Sequence, residues 1–507
     1  MIRICKAFCN FLTNLLIVER MIKIKNWNFS IILTIMFIVF GIFSYTLFDP
    51  VKSTELLSTL YRNAAVIFES TFQYGTLILI AFLIIFALSP KGTKVISITG
   101  RDKYSYISWG FMIFTAGMGA SILYWAPIEW AYYFNEPPTG IKNNDELIKN
   151  YAISYSNFHW GISGWALYCL PALAFAISLI KNPDNPLTFS GIFIGNVKKY
   201  KFLGWILDLI FIVSIISGAA IAIGLSFPLI AKIFSTIFNI SFSINFQFMV
   251  LLLCLLIVAV TTALGLTKGI KKLSEFNIYL VIFLLGFILI NGNTADLLNY
   301  SYVSLKTLFS NFFEMSTLTN DVFVQDWTVF YWAWWMALSP FVGTFVVNIS
   351  NGKTLRELIL GTVFIGAFGS MLHFLIIGNY SFYLFSNDIV NVIALISSGE
   401  TNTAIVNIIG TLPFRNFILL VYAIVMIIFM CTTYNSCAYV LAASSMKTTS
   451  NEPDILLRIL FSIVLMVLPG LFLVVDGFEL TKNILLLSSI PLIFIFVAMI
   501  YFSIKNV

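Results

Sequence analysis

Charge is what this 507-residue chain has least of: only 10% of its residues are Asp, Glu, Lys or Arg. A soluble protein of this size covers its surface with about 25% charged residues. Hydrophobic residues make up 59% of the chain and the mean hydropathy is +0.94, which excludes a soluble enzyme, a disulfide scaffold and a disordered chain. Histidine is nearly missing too, with only His159 and His373 present, so a His-rich metal centre is excluded. The six cysteines (Cys5, Cys9, Cys169, Cys254, Cys431 and Cys437) form no CxxC pair. They read as small buried hydrophobes rather than metal ligands or disulfides. The chain carries no HExxH or GxSxG, no convergent His/Asp set, and no dense basic block. These absences argue against an intramembrane enzyme and against nucleic-acid binding.

What the chain does have is long apolar runs. A membrane-crossing helix needs about 20 mostly apolar residues, and such runs centre on residues 28–48, 64–88, 105–134, 151–180, 203–233, 246–266, 275–296, 327–349, 357–379, 414–445, 455–474 and 482–504. Strict polar/apolar alternation, the mark of a β-barrel, is missing. Positive charge follows the even-numbered runs: Lys91, Lys94, Arg101 and Lys103 after the second, Lys268, Lys271 and Lys272 after the sixth. The connection after the third run instead holds Glu136, Asp145 and Glu146. This alternation predicts an all-α integral membrane protein of twelve transmembrane helices, multi-pass in the cell's inner (plasma) membrane, with both termini cytoplasmic. Residues 1–27 read as a cytoplasmic tail without a signal-peptide cleavage site, in which Met21 offers an alternative start.

Three runs break the rules of a lipid-facing helix. The third holds Gly117-Met118-Gly119-Ala120-Ser121, then Trp125, Pro127 and Glu129. Small residues of this kind often mark close helix packing, but here they neighbour an intramembrane carboxylate, which is costly and usually functional. The expectation is an interrupted helix lining a cavity. The fourth run holds His159-Trp160-Gly161 followed by Trp165 and Tyr168, and the eighth places four of the chain's eleven tryptophans between Trp327 and Trp335. An interfacial belt would gather tryptophans at span ends, whereas Trp160, Trp165, Trp334 and Trp335 fall inside apolar runs. Indole faces attract quaternary ammonium groups, each desolvated contact contributing up to about 2 kcal/mol. Three or four such contacts approach the roughly −8 kcal/mol of micromolar binding.

The run Asp326-Trp327-Thr328-Val329-Phe330-Tyr331-Trp332-Ala333-Trp334-Trp335 closely resembles the hallmark of the betaine/choline/carnitine transporter family. The glycine stretch of the third run, His159-Trp160-Gly161 and Leu264-Gly265-Leu266-Thr267-Lys268-Gly269 resemble further family motifs. The arginine-rich segment that follows the eighth run in the family is altered, with Asn351 and Lys353 where arginines are usual. The resemblance, over about residues 28 to 504, implies a LeuT-type fold. In it, residues 28–104 form two N-terminal helices, 105–300 a first inverted five-helix repeat (spans 3–7), and 301–504 a connecting segment and the second repeat (spans 8–12). The third and eighth runs would then head equivalent repeats, where discontinuous helices are expected. A homotrimer embedded in membrane lipid is also implied.

Carried over by motif, the resemblance places the substrate's aromatic box on Trp160, Trp165, Tyr168 and Trp335. Tyr132, Trp334 and Trp327 match further substrate-binding aromatics, Trp327 in the outer access path, and Met118 and Ser121 lie on the glycine-rich backbone beside the ligand. It implies secondary active transport of a quaternary ammonium compound (glycine betaine, choline, carnitine or a relative), with no cofactor beyond Na+ as coupling ion. The sodium positions fall on Thr115, Met118, Phe429, Thr432 and Thr433, whose hydroxyl and carbonyl oxygens suit a hard cation. In ion-independent exchangers a methionine and an arginine replace sodium; the matching positions here are Val342 and Asn277, neither a fixed positive charge. A second sodium site is poorly supported by Ser217-Gly218-Ala219-Ala220. The alternatives are an ion-independent exchanger of the carnitine/butyrobetaine type and a transport-defective ligand-binding receptor. The short ending Ile504-Lys505-Asn506-Val507 does not resemble the charged tail that senses osmotic stress in some members.

Overall fold

The computed structural model describes residues 26–98, 102–116, 119–193, 200–263, 267–447, 453–470, 473 and 477–506, without the side chains of 262–273. Met118 and the motif residues Gly117 and Leu264-Gly265-Leu266 lie outside the described residues. Among those described there is no β-strand, and isolated bridges join only Trp27 to Met446 and Val95 to Thr354.

Among the described residues, ten helices are long and apolar enough to cross a membrane. Two further apolar runs hold shorter helices, α3 (Tyr106–Ala116) and, near the chain's end, Ile455–Gly470. The first two elements are α1 (Phe29–Phe48) and α2 (Pro50–Leu88). The second begins well ahead of its apolar run, because Asp49 accepts a hydrogen bond from the Lys52 amide at 3.1 Å and Pro50 occupies the first helical position, where its missing N–H costs nothing. Glu69, on α2, accepts from Gln325 Nε2 at 3.0 Å and from the Asp321 amide at 3.3 Å. That intramembrane acid therefore ties α2 to the turn that opens the tryptophan-rich helix.

The third apolar run divides as its glycines and proline suggest, into α3, α4 (Ala120–Trp125) and α5 (Glu129–Asn135). The fourth is also interrupted: α6 (Asp145–His159) ends at Trp160-Gly161 and α7 (Ile162–Lys181) starts afresh. Next come α8 (Lys201–Phe238), α9 (Ile244–Ala263), α10 (Thr267–Asn291) and α11 (Thr294–Ser310). The last was not legible as a separate element. It lies against α6, where Asn157 Nδ2 donates to Ser304 Oγ at 2.9 Å and Ser304 Oγ to the Ile153 carbonyl at 2.9 Å.

The eighth run departs from expectation. After a π-helical turn at Val324–Thr328 it is one continuous helix, α12 (Val329–Ile349), running straight through Pro340. Proline cannot donate to the carbonyl four residues back, which leaves the Met336 oxygen open. Ser339 Oγ donates to that oxygen at 2.7 Å, so the ladder is repaired locally and the helix survives. The ninth run bends instead, with π-turns at Gly361–Ile365 and Phe374–Gly378 between α13 (Leu355–Leu360), α14 (Gly366–His373) and α15 (Asn379–Ser386). Helix α16 (Arg415–Ser444), α17 (Ile455–Gly470) and α18 (Gly477–Lys505) complete the chain. Helices α7 and α12 are the most enclosed pair, and many of the aromatic contacts lie on and beside them.

Candidate functional site

Where α7 crosses α12, the side chains of Trp160, Trp165, Tyr168 and Trp335 line a cavity of about 120 Å³. Trp335 stands at the centre: its ring centroid is 5.7 Å from Trp160, 5.9 Å from Trp165 and 4.3 Å from Tyr168, with interplanar angles between 56° and 72°. Trp165 and Tyr168 meet edge to face at 5.5 Å and 84°. Walls inclined to one another in this way present several π faces to a small central volume, the geometry a methylated ammonium group requires. Ser121 and Gly119, from the broken third run, close another side.

Small residues make room for these rings. A Cβ added at Gly164 would stand 2.3 Å from Trp335 Cε2, and one at Gly366 2.3 Å from Trp165 Cε3. Hydrogen bonds then fix the indole orientations. Trp165 Nε1 donates to Ser370 Oγ at 2.7 Å, and Trp160 Nε1 to Glu129 Oε2 at 2.8 Å. Gly164, Gly366 and Ser370 were not singled out from sequence. Their signal, a small residue one side chain away from a tryptophan on another helix, exists only in three dimensions.

Tyr132, Trp327 and Trp334 do not line this cavity. Trp334 packs on the far side of Trp160, stacks on Phe330 at 5.6 Å, and donates to the Gly218 carbonyl at 2.9 Å. Tyr132 and Trp327 lie 5.2 Å apart in a separate cluster, with Trp125 edge-on to Trp327 at 5.8 Å and Phe478 5.6 Å from Trp125. Tyr331 joins this cluster to the box, its ring 6.5 Å from Trp125 and 5.6 Å from Trp160. The predicted aromatics thus form a box and a packed plug beside it.

On its other side the box adjoins a wider cavity of about 510 Å³ that reaches Tyr104 and Ser108 at the start of α3. The two share Ala116, Phe341, Val342 and Thr433 in their walls. Of the positions expected for an ion, Thr115, Phe429 and Thr432 line the wider cavity, and Thr433 borders both. The Thr115 hydroxyl donates to the Met112 carbonyl at 3.0 Å, and Thr432 donates back to Ile428 and Phe429 at 2.9 and 3.0 Å. Back-bonding of this kind uses the hydroxyl hydrogen and leaves oxygen lone pairs for a cation. The donor chemistry therefore fits a hard monovalent ion. Among the described residues, no group of three or more His, Cys, Asp or Glu side chains offers a stronger metal site. Asn277 and Val342 also border the vestibule, whose one charged lining residue among the described residues is Glu275.

The family described as BCCT, betaine/carnitine/choline family transporter, matches residues 29–507. The chain is 29% identical over 422 residues to the uncharacterized transporter YeaV of Escherichia coli (strain K12), covering 82% of this chain and 88% of that protein. It is 25% identical over 492 residues to a protein named carnitine transporter from Acinetobacter baumannii, covering 95% of this chain and 89% of that protein.

Proposed function

The chain belongs to the betaine/carnitine/choline transporter family, whose members carry small quaternary ammonium substrates across membranes, and from that premise we propose that it is a sodium-coupled secondary transporter working by alternating access. The observation that carries the reading is the box itself, with four inclined aromatic rings around about 120 Å³ and, among the described residues, no lysine, arginine, aspartate or glutamate in its wall. Such a site attracts a cation that cannot donate hydrogen bonds, and the ring faces supply the affinity. A carboxylate on a zwitterionic substrate would be met by backbone N–H groups where the third run is interrupted. Glycine betaine, choline and carnitine all satisfy this chemistry. The relative named carnitine transporter makes carnitine the first of these to try.

The box adjoins the wider cavity through Ala116, Phe341, Val342 and Thr433. The vestibule leads from it toward Tyr104, while the plug of Trp125, Tyr132, Trp327 and Phe478 is closed. In the twelve-span topology, with both termini cytoplasmic and two inverted repeats, this is the inward-facing arrangement, and opening of the plug completes the cycle. Thr115, Phe429, Thr432 and Thr433 hold the coupling ion between the two cavities, so ion and substrate stabilise the same arrangement of α3 and α16. A membrane potential of about 100 mV contributes about 2.3 kcal/mol per charge moved, which permits roughly 50-fold accumulation before any chemical sodium gradient is added.

Purified protein in proteoliposomes should take up labelled carnitine or betaine when sodium is supplied outside and absent inside. Undiminished uptake without sodium, driven only by substrate on the opposite face, would establish exchange instead.

A further inference from the structure

Glu129 is fully buried at the start of α5, and no side chain among the described residues neutralises it with a lysine or arginine. Its carboxylate is nevertheless densely solvated by the protein. Tyr133 Oη donates to Oε1 at 2.6 Å, while Tyr331 Oη and Trp160 Nε1 donate to Oε2 at 2.6 and 2.8 Å. The donors continue outward. His159 Nδ1 lies 2.8 Å from Tyr133 Oη, and its Nε2 lies 3.0 Å from Thr328 Oγ1. With Tyr133 giving its one hydroxyl hydrogen to Glu129, its oxygen can accept from His159 Nδ1–H, and His159 Nε2 can then accept from the Thr328 hydroxyl. Three donors within hydrogen-bond reach oppose the cost of burial and can hold the acid in its ionised, acceptor-only form.

One of these donors is a wall of the box. The indole N–H of Trp160 bonds Glu129 while its ring lines the cavity. A carboxylate on the N–H pushes electron density into the indole and makes its face more negative, and the charge itself acts across one ring in a medium of low dielectric constant. A buried charge calls for a partner of opposite sign.

We propose that Glu129 is a specificity-determining residue whose charge, delivered through the Trp160 indole, is the counter-charge for a quaternary ammonium ligand in the box. It does not touch the ligand. It acts on charge and leaves shape to the aromatic rings, so it selects a cation over an uncharged molecule of the same outline. The proposal rests on the quaternary ammonium reading of the box.

The test compares choline with 3,3-dimethylbutan-1-ol, which has carbon in place of the quaternary nitrogen and nearly the same shape, by calorimetric binding to the purified full-length protein. In Glu129→Gln the preference for choline should fall by at least about tenfold, while the affinity for the alcohol stays within about threefold of wild type. Glu129→Asp should recover most of the preference. A parallel loss of both ligands would show that Glu129 only holds Trp160 in place, and an unchanged preference would show that its charge is not felt; either overturns the proposal. If Glu129→Gln does not fold, infrared difference spectra of the wild-type protein decide. A carboxylate band should shift on adding choline and not on adding the alcohol, and no shift with choline overturns the proposal. A wild-type protein that binds choline no better than the alcohol would instead sink the reading of the box as a quaternary ammonium site.

Discussion

Trp335 touches each of the other three box rings, at 5.7, 5.9 and 4.3 Å between centroids, so its removal is the most direct test of the proposed box. Trp335→Leu keeps an apolar side chain on α12 and removes the π face. It should reduce quaternary ammonium affinity by roughly 30-fold, the equivalent of about 2 kcal/mol. The check is thermal unfolding with and without ligand: the ligand-induced rise should vanish while a cooperative transition remains. The tryptophans of the box were legible at this scale because Trp160, Trp165 and Trp335 sit inside apolar runs rather than at their ends. Their supports were not legible. Ser370 contributes one hydroxyl to the Trp165 indole across 205 positions of sequence, and a serine in an apolar run has many roles equally compatible with its neighbours.

Among the elements, α12 shows how two adjacent residues decide whether a helix is broken. Pro340 removes a donor and Ser339 supplies one to the stranded Met336 carbonyl. Ser339→Ala should therefore destabilise the protein by about 1–3 kcal/mol, the cost of a buried acceptor left unpaired. In the double variant with Pro340→Ala the backbone N–H returns and most of the loss should be recovered. Thermal unfolding of the two single variants and the double closes the cycle, and additive effects would show that the hydroxyl is not repairing the ladder. The third run gave up its continuity as its glycines suggested, whereas the eighth kept its own. Sequence composition placed a proline in both; the hydrogen bond that compensates for Pro340 becomes visible only when the serine's rotamer is known.

For the whole molecule, the asymmetry between a vestibule and a closed plug is the property that transport depends on. Ser436 is exposed on the vestibule wall, while Cys169, Cys254, Cys431 and Cys437 are buried. A cysteine placed at 436 should react with a membrane-impermeant maleimide added from the Lys103 side of the membrane. It should be slowed by sodium and substrate together if these favour the alternative arrangement. Labelling from the opposite side, or at equal rates from both, would contradict one-sided access. Background from Cys5 and Cys9, which lie outside the described residues, is measured on the parent protein.

The sequence by itself determined that the chain lives in lipid, roughly where its apolar runs lie, and which aromatic residues could hold a cation. Those properties are carried by composition, by run length and by residues whose cost in a membrane admits few explanations. Tertiary structure decided how the aromatics divide, sending Trp160, Trp165, Tyr168 and Trp335 to the box and Tyr132 and Trp327 to the plug. It also placed Thr433 in the wall of both cavities and set Glu129 behind the Trp160 indole. These depend on which faces of distant helices meet, and on small residues such as Gly164 and Gly366 that let them meet closely. A pattern along one chain specifies what each helix can offer; only packing between helices chooses what it is offered to.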